Sequence, residues 1–416
     1  MRSDVMVLGA GVVGVAAALH LQKRGRSVVL VDRRGPGEET SYGNAGLIQR
    51  EAFLPYAFPA GLSKLVRYAL NGASEAHYQI ASLPGVAPEL FKYWLNSSAD
   101  AIERTIRANR VLFEHCLAEH EILAVEAGIT DLLRPGGWIE VYRKPETMAE
   151  NRRDAERLKA EFGVNSEVLD PARLGQLEPH LSVEHAVGAI HWKDPSSVRD
   201  PLALTQGYAD LFKRRGGRFV MADAKTLSQS GTDWQIMTEA GPELAKDVVV
   251  ALGPWSSDIF KPLGYDIPLF VKRGYHMHYK ARGNAVLSRT VIDADTGFAL
   301  ASMTGGVRMT TGAEFAHRDA APTPVQIERC EPKARELFPL ESRVDATPWL
   351  GRRPCLPDMT PVIGPAPRHK GLWFLFGHAH HGLTNAAISG RLIAEMMTGE
   401  TPLSDVSGFA ADRAFA

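Results

Sequence analysis

Residues 5–32 read VMVLGAGVVGVAAALHLQKRGRSVVLVD, and this stretch decides the fold. An apolar run leads into the spacing Gly9-x-Gly11-x-x-Gly14, and an Ala/Leu-rich segment with helical periodicity follows. A second apolar run then ends on Asp32. The order of strand, glycine turn, helix and strand is that of a βαβ unit that binds a dinucleotide. We favour this interpretation over a glycine-rich turn without a ligand, because two strands flank the motif and an acid follows it.

Each position of the motif has a chemical task. Gly9 permits the tight turn, Gly11 lets the backbone approach a pyrophosphate, and Gly14 lets helix and strand pack closely. Val12 and Val13 begin the helix, whose N-terminal N–H groups donate hydrogen bonds to phosphate oxygens.

The acid that closes the unit indicates a ribose. Asp32 follows the glycines by about 20 residues, where a carboxylate accepts hydrogen bonds from ribose hydroxyls. Arg33 comes next and suits either a 2′-phosphate or a solvated turn. The second use is more common, so we expect an unphosphorylated ribose.

Length and composition bound the remaining possibilities. The 416 residues exceed what one core usually supports, so two domains are expected. A net charge of −1 without a basic run argues against a nucleic-acid partner. The three cysteines, Cys116, Cys330 and Cys355, are far apart. They predict a reducing, cytoplasmic setting and no structural zinc.

Periodicity predicts the elements downstream. A long helix is expected over 84–127, ended by Gly128, and alternating antiparallel strands over 269–311. A buried strand should end at the turn 253–256, and a turn is expected at 351–354. Further strands are predicted over 137–142, 186–192, 218–222 and 371–376, and helices over 146–161, 200–215 and from 377–384 to Met397.

These elements predict an α/β protein, α+β overall, in two parts. Residues 1–50, 195–260 and 345–416 should form a discontinuous Rossmann-like dinucleotide domain. Residues 51–194 and 261–344 should form an inserted substrate domain, an antiparallel sheet with helices.

The stretch from Phe53 to Leu70 mixes large apolar residues with Lys64 and Arg67. It suits peripheral contact with the inner face of a membrane. Packing on the body of the protein is the commoner use of such a segment.

Four blocks occur along the chain in this order: GAGVVG (9–14) with Asp32; ETSYGNAG (39–46); VVVALGPWS (248–256); and GRRPCLPDMTPVIG (351–364) followed by GLWFLFGHAHHGLTNAAISGRLIAEMMTG (371–399). Together they resemble the D-amino-acid oxidase/dehydrogenase superfamily of FAD enzymes, most closely its bacterial D-amino-acid dehydrogenase branch. The resemblance covers nearly the whole chain.

The resemblance implies a non-covalent FAD with its flavin between the loop 41–46 and the turn 377–384. A helix N-terminus at that turn also suits the negative charge of a reduced flavin. Only the backbone of the turn is needed for this interaction, so we assign no acid–base role to His378, His380 and His381. Their close spacing in the sequence also argues against a metal site. The residues assigned to FAD are Gly9, Gly11, Val12, Val13, Gly14, Asp32, Arg33, Thr40, Ser41, Asn44, Ala45, Gly46, Gly253, Trp255, Gly377, His378, Gly382, Leu383 and Thr384.

The same resemblance implies the substrate residues. Arg353 would bind the substrate carboxylate through its planar guanidinium, with Arg352 as the competing candidate. Tyr275, on an alternating strand, would hydrogen-bond to the substrate, although a core tyrosine is equally compatible. Arg50 departs from the family pattern and would either pair with a second anionic or polar group of the substrate or lie in a solvated loop.

The implied reaction is oxidation of a D-amino acid or a related secondary amino acid. Hydride leaves Cα for flavin N5, water hydrolyses the imino acid, and electrons pass to a quinone or another acceptor. The alternatives are an oxidase of glycine, sarcosine or D-amino acids that uses dioxygen, a catalytic subunit of a hetero-oligomeric hydroxyproline or opine dehydrogenase, and a nucleotide-binding module without turnover.

Overall fold

The structure, a computed structural model, describes residues 2–58 and 62–415, with the backbone alone for 62–65. The strands are β1 (Arg2–Leu8), β2 (Val28–Asp32), β3 (Leu47–Ile48), β4 (Ala76–Tyr78), β5 (Leu133–Pro135), β6 (Trp138–Tyr142), β7 (Ser166–Leu169), β8 (Gly188–Trp192), β9 (Ser196–Val198), β10 (Arg218–Met221), β11 (Ser228–Ser230), β12 (Asp233–Thr238), β13 (Gly241–Val250), β14 (Phe270–Ala281), β15 (Thr290–Asp293), β16 (Phe298–Met303), β17 (Gly306–Thr311), β18 (Ala313–Phe315), β19 (Leu340–Arg343), β20 (Trp349–Cys355), β21 (Val362–Pro365) and β22 (Leu372–Phe376). The helices are α1 (Val12–Lys23), α2 (Leu62–Ala69), α3 (Leu83–Leu95), α4 (Ala99–Ala127), α5 (Pro145–Phe162), α6 (Pro171–Leu177), α7 (Pro201–Arg214), α8 (Ser257–Phe260), α9 (Val325–Leu337) and α10 (Gly382–Thr398).

The first sheet carries the nucleotide motif. Its strand order is β10-β2-β1-β13-β12-β11, with β22 parallel to β13 and β21 against β22. β1 lies parallel to β2 and β13, with Leu8 opposite both Val31 and Val250. The apolar runs of these strands are buried on both faces, as parallel strands require. Helices α1, α4, α7 and α10 pack together against the sheet.

The second sheet surrounds β14. Its order is β4-β18-β14-β17-β16-β15-β6-β8-β7, and β19 and β20 also pair with β14. The predicted antiparallel hairpins of 269–311 are present, but β15 is parallel to β6 and β18 is parallel to β4. The sheet is therefore mixed, because strands from distant parts of the chain join its ends.

The predicted helix over 84–127 is wrong in one respect, since it is two helices. The break lies at residues 96–98, where the Ser98 hydroxyl caps α4 by accepting a hydrogen bond from the Ala101 N–H. Gly128 ends α4 in the left-handed conformation, φ 74°, as predicted.

Two segments pack differently from the expected division of the chain into a dinucleotide domain and a substrate domain. α4, assigned to the substrate domain, packs against α10, and its Leu112 and Leu123 are buried in the core of the nucleotide domain. The residues 351–354, predicted as a turn, lie inside β20 and pair with β14 in the substrate sheet. β20 pairs only with β14, and such an edge strand tolerates Pro354.

Candidate active site

A large cavity is lined by residues of both sheets. Its volume is about 1050 Å³, at the upper end of the range for ligand sites. One end lies beside Gly11 and Asp32 at the carboxyl ends of β1 and β2, and the other is lined by Tyr93 and Phe315. Ligands of open α/β sheets bind at this edge.

The glycine turn at the nucleotide end is fixed by close packing. Gly9 has φ 108°, and a Cβ there would overlap the carbonyl oxygen of Ala251. A Cβ on Gly14 would overlap the carbonyl oxygen of Gly9. Gly11 lines the cavity, and a Cβ there would lie 3.3 Å from the Ser41 hydroxyl.

Asp32 presents a half-buried carboxylate to the cavity. It accepts hydrogen bonds from the backbone N–H of Ala10 (2.7 Å) and of Arg34 (3.2 Å). Burial raises the pKa of this carboxyl above its usual value. Arg33 beside it is neutralised by Glu39 at 2.8 Å and stacks over Trp255 at 4.4 Å, an arrangement that suits a ribose without a 2′-phosphate.

The loop 39–46 forms the next part of the wall. The hydroxyl of Ser41 accepts a hydrogen bond from the N–H of Val12 at 3.0 Å, so the loop caps the first turn of α1. Arg308, on β17, donates to the carbonyl oxygens of Tyr42 (2.9 Å) and Asn44 (2.8 Å). The loop is thus anchored to both domains.

The turn before α10 forms the opposite wall. His378 is buried, and its Nε2 lies 3.0 Å from the Ser389 hydroxyl. Burial lowers the pKa of His378 to about 3, so the ring is neutral. Thr384 donates to the carbonyl oxygen of Leu47 at 3.2 Å and accepts from the N–H of Gln49. These side chains position the turn, whose backbone faces the cavity.

The arrangement fits FAD. The N-termini of α1 and α10 both reach the cavity and offer N–H donors and partial positive charge. Asp32 suits the ribose. Most residues expected to bind FAD line the cavity, whereas Gly14, Gly46, Gly377 and Thr384 lie behind its wall and shape the turns.

Arg353 reaches the cavity from β20. Its Nη1 donates to the carbonyl oxygen of Gly312 (2.8 Å) and its Nη2 to that of Thr311 (3.0 Å), which fixes the plane of the guanidinium. Within the described part of the chain, no carboxylate lies within ion-pair distance of it. Burial lowers the pKa of Arg353. Its remaining N–H groups suit a carboxylate ligand.

Tyr275 lines the cavity, but its hydroxyl is hydrogen-bonded within the protein. Tyr275 is 1% exposed, and its hydroxyl donates to Glu314 at 2.8 Å. It also accepts from Arg273 (3.1 Å) and from the N–H of Thr323 (2.7 Å). The expected hydrogen bond to substrate is therefore corrected: the buried Arg273–Glu314 ion pair, not a ligand, satisfies this hydroxyl.

Arg50 lies outside the cavity. Its Nη2 donates to the carbonyl oxygen of Phe162 at 3.1 Å, at the C-terminus of α5, and its guanidinium lies over the Phe53 ring at 4.8 Å. The partial negative charge at a helix C-terminus attracts the cation. The expectation that Arg50 binds substrate is corrected accordingly.

Sequence reasoning missed Lys272 and His380. Lys272 is opposite Arg353 in the β14–β20 pair and lines the cavity, as does His380. Burial, followed by the charges of His381, Arg353 and Lys272, holds the pKa of His380 well below its usual range. Alternation along β14 placed Lys272 on the face opposite Arg273, but only the register with β20 shows that this face borders the cavity.

The comparisons with known proteins agree with this geometry. A family model described as FAD dependent oxidoreductase, DAO, matches residues 4–396. A D-amino-acid oxidase of Bradyrhizobium diazoefficiens is 30% identical over 98% of both chains. A D-amino acid dehydrogenase of Rhizorhabdus wittichii is 30% identical over 98% of this chain and 99% of that protein. The crystal structure of glycine oxidase from Geobacillus kaustophilus has the same fold, with a TM-score of 0.75 at 20% identity over 99% of both chains. The chain therefore belongs to the DAO family of FAD-dependent oxidoreductases.

Proposed function

We propose that this protein is a dehydrogenase that oxidises the Cα–N bond of a D-amino acid or a related secondary amino acid. The observation that carries the proposal is Arg353, a half-buried cation that lines the same cavity as the turn 377–384 and has no carboxylate partner among the described residues. Bound FAD supplies the acceptor for the hydride that leaves Cα.

Arg353 binds and orients the substrate in this proposal. The carbonyl oxygens of Thr311 and Gly312 hold the guanidinium plane, so a carboxylate that forms two parallel hydrogen bonds with it has one orientation. That orientation directs the Cα–H bond, and holding the reacting atoms in place contributes much of the rate.

The experiment is anaerobic. The purified yellow protein is mixed separately with D-alanine, D-proline, cis-4-hydroxy-D-proline, glycine, sarcosine and the L-enantiomers, and the visible flavin band is recorded. We expect a D-amino acid or a secondary amino acid to bleach the band. A flavin that no amine reduces, while dithionite does, would contradict the proposal and favour a nucleotide-binding module.

We further propose that electrons pass to a quinone at a membrane surface rather than to dioxygen. Support comes from an apolar surface beside α2 and α3, where Leu70 (77%), Ile80 (76%), Phe91 (59%) and Trp94 (54%) are exposed. The rings of Phe91 and Trp94 stack with their centroids 5.7 Å apart, and exposed apolar side chains that lie together are typical of an interaction site. No helix of the described chain is long and apolar enough to span a bilayer, so contact would be peripheral.

Reoxidation and sedimentation test the acceptor. The reduced protein should be reoxidised by a short-chain quinone much faster than by dioxygen, and it should sediment with anionic vesicles. The Phe91→Ser/Trp94→Ser variant should stay in the supernatant. Rapid peroxide formation would instead favour an oxidase, and recovery of the protein with a second chain on this surface would favour a hetero-oligomer.

A further inference from the structure

Lys272 and Arg353 form a pair of like charges on one wall of the cavity. They are directly opposite in the antiparallel β14–β20 pair, so both side chains lie on the same face of the sheet. Both line the cavity, and in the part of the chain that the structure describes neither has a carboxylate within ion-pair distance. Like charges at opposite positions destabilise a sheet.

The surroundings of Lys272 are aromatic. Its Nζ lies 3.8 Å from the centroid of the Tyr93 ring, 5.7 Å from that of Phe270 and 5.9 Å from that of Phe315. Ring faces attract a cation but carry no net charge. The rings therefore do not neutralise the two cations of the wall. Burial lowers the pKa of Lys272, as it does that of Arg353.

Glu140 lines the cavity without a cation in ion-pair distance among the described residues; it accepts a hydrogen bond from the Trp192 indole N–H at 3.2 Å, and burial raises its pKa. Two other carboxylates of the lining have cations of their own. Glu75 pairs with Arg67, and Asp293 pairs with Arg143 at 2.6 Å. His77, His380 and His381 also line the cavity, and burial lowers the pKa of each ring, that of His381 to about 4. A charge removed from water is costly unless it is paired, and the described residues provide aromatic rings but no carboxylate for the half-buried Lys272.

We propose that the substrate carries a second anionic group and that Lys272 binds it, while Arg353 binds the α-carboxylate. The substrate class is an amino acid with two carboxylates, such as an acidic D-amino acid or an N-carboxymethyl amino acid. This inference rests on the proposed function and narrows it. In this proposal Lys272, not Arg50, pairs with the second anionic group of the substrate.

The geometry suits a short dianion. Opposite residues of neighbouring strands have Cβ atoms about 5 Å apart, so the two cations can contact carboxylates separated by a few carbon atoms. The rings of Tyr93, Phe270 and Phe315 provide apolar surface for those carbons. A neutral amino acid leaves Lys272 unpaired and is bound less tightly.

Binding is measured first, without turnover. The FAD-loaded protein is titrated with propionate, butyrate, succinate and glutarate, and the shift of the flavin spectrum gives each Kd. We expect the wild-type protein to bind the dicarboxylates about ten-fold or more tightly than the monocarboxylates. Lys272→Met should remove this preference and change the monocarboxylate Kd by less than about three-fold. Lys272→Arg should retain it, because the charge remains.

The matched control is Lys280→Met, an exposed lysine on the same strand, which should behave as wild type. A wild-type protein without preference for dicarboxylates overturns the inference, and this comparison needs no variant. Equal weakening of both classes in Lys272→Met also overturns it, because Lys272 and Arg353 would then share one carboxylate.

Anaerobic reduction separates this inference from the proposed function. D-aspartate, D-glutamate and iminodiacetate should reduce the flavin at lower concentrations than D-alanine does. If no amino acid reduces the flavin but the dicarboxylate preference is lost in Lys272→Met, the proposed function fails and the dianion site remains. If D-alanine reduces it and dicarboxylates bind no better than monocarboxylates, the proposed function stands and the inference fails.

Discussion

The Nε2 of His120 donates a hydrogen bond to the carbonyl oxygen of Leu383, 2.7 Å away, and so connects α4 to the first turn of α10. The Nδ1 of the same ring lies 3.0 Å from the Tyr208 hydroxyl. Since a carbonyl can only accept, the neutral ring is protonated on Nε2 and Nδ1 accepts from Tyr208. Burial lowers the pKa of His120 to about 4.

Acid should therefore destabilise the flavin end of the fold. The folded-state pKa of His120 lies below the unfolded value of about 6.5, so the unfolded chain takes up the proton first as the pH falls. Its contribution to stability is complete above pH about 6.5 and falls by about 3 kcal/mol between pH about 6.5 and 4. Thermal unfolding across this range should show a steeper decrease in Tm for wild type than for His120→Gln. The exposed His185→Gln serves as control, and equal slopes would refute the prediction.

Asp32→Asn should weaken FAD binding about ten-fold or more, because we propose that the carboxylate is the charged acceptor for the ribose hydroxyls. The measurement is the Kd of the apoprotein for FAD by fluorescence quenching. Asp412→Asn, at an exposed position, should leave that Kd unchanged. FAD should be released by acid precipitation in both proteins, since we propose that it is held non-covalently.

Gly14→Ala should destabilise the βαβ unit by about 3 kcal/mol or more, because the added Cβ overlaps a backbone oxygen that cannot move without the turn. Flavin content and Tm should decrease together. Gly72→Ala is the matched control, since a Cβ there meets no atom of the described residues within 4 Å. A Gly14→Ala protein with wild-type flavin content and wild-type stability would contradict the prediction. It would show that α1 can move away from the turn after β1 to make room for the methyl group.

Arg353→Lys should raise the Kd of the substrate about ten-fold to a hundred-fold while FAD content stays constant, because an ammonium lacks the planar pair of donors. Anaerobic reduction at varied substrate concentrations gives the Kd. Arg352→Lys should have a much smaller effect, since the Nε of Arg352 donates to the carbonyl oxygen of Arg318 at 2.9 Å. The reverse order of effects would assign the carboxylate to Arg352.

The sequence predicted the family, the α/β fold class and the cofactor, and the comparisons confirm all three. It succeeded at residues 5–32 because glycine spacing and apolar runs are local properties. It failed where the answer depends on pairing between distant segments. Lys272 can be recognised as a cavity residue only when the strand register places it opposite Arg353. The side chain of Arg50 points away from the cavity because it hydrogen-bonds to the last residue of α5.

The proline in 351–354 illustrates the same limit. Pro354 indicates a turn when the segment is considered alone, yet an edge position in the sheet tolerates it within β20. Similarly, the periodicity of α4 shows that one face is buried but not which domain buries it.

The interleaved chain order of the first sheet has a consequence for biosynthesis. β1 and β2 are made early, whereas β22 and α10, which complete the flavin side of the cavity, follow more than three hundred residues later. A growing chain therefore exposes the apolar edge of β13 and one side of α1 until residues 372–398 have left the ribosome. We therefore expect FAD to bind late, and a chain that stalls before α10 should carry the glycine turn between β1 and α1 without the turn 377–384 that lines the other side of the cavity.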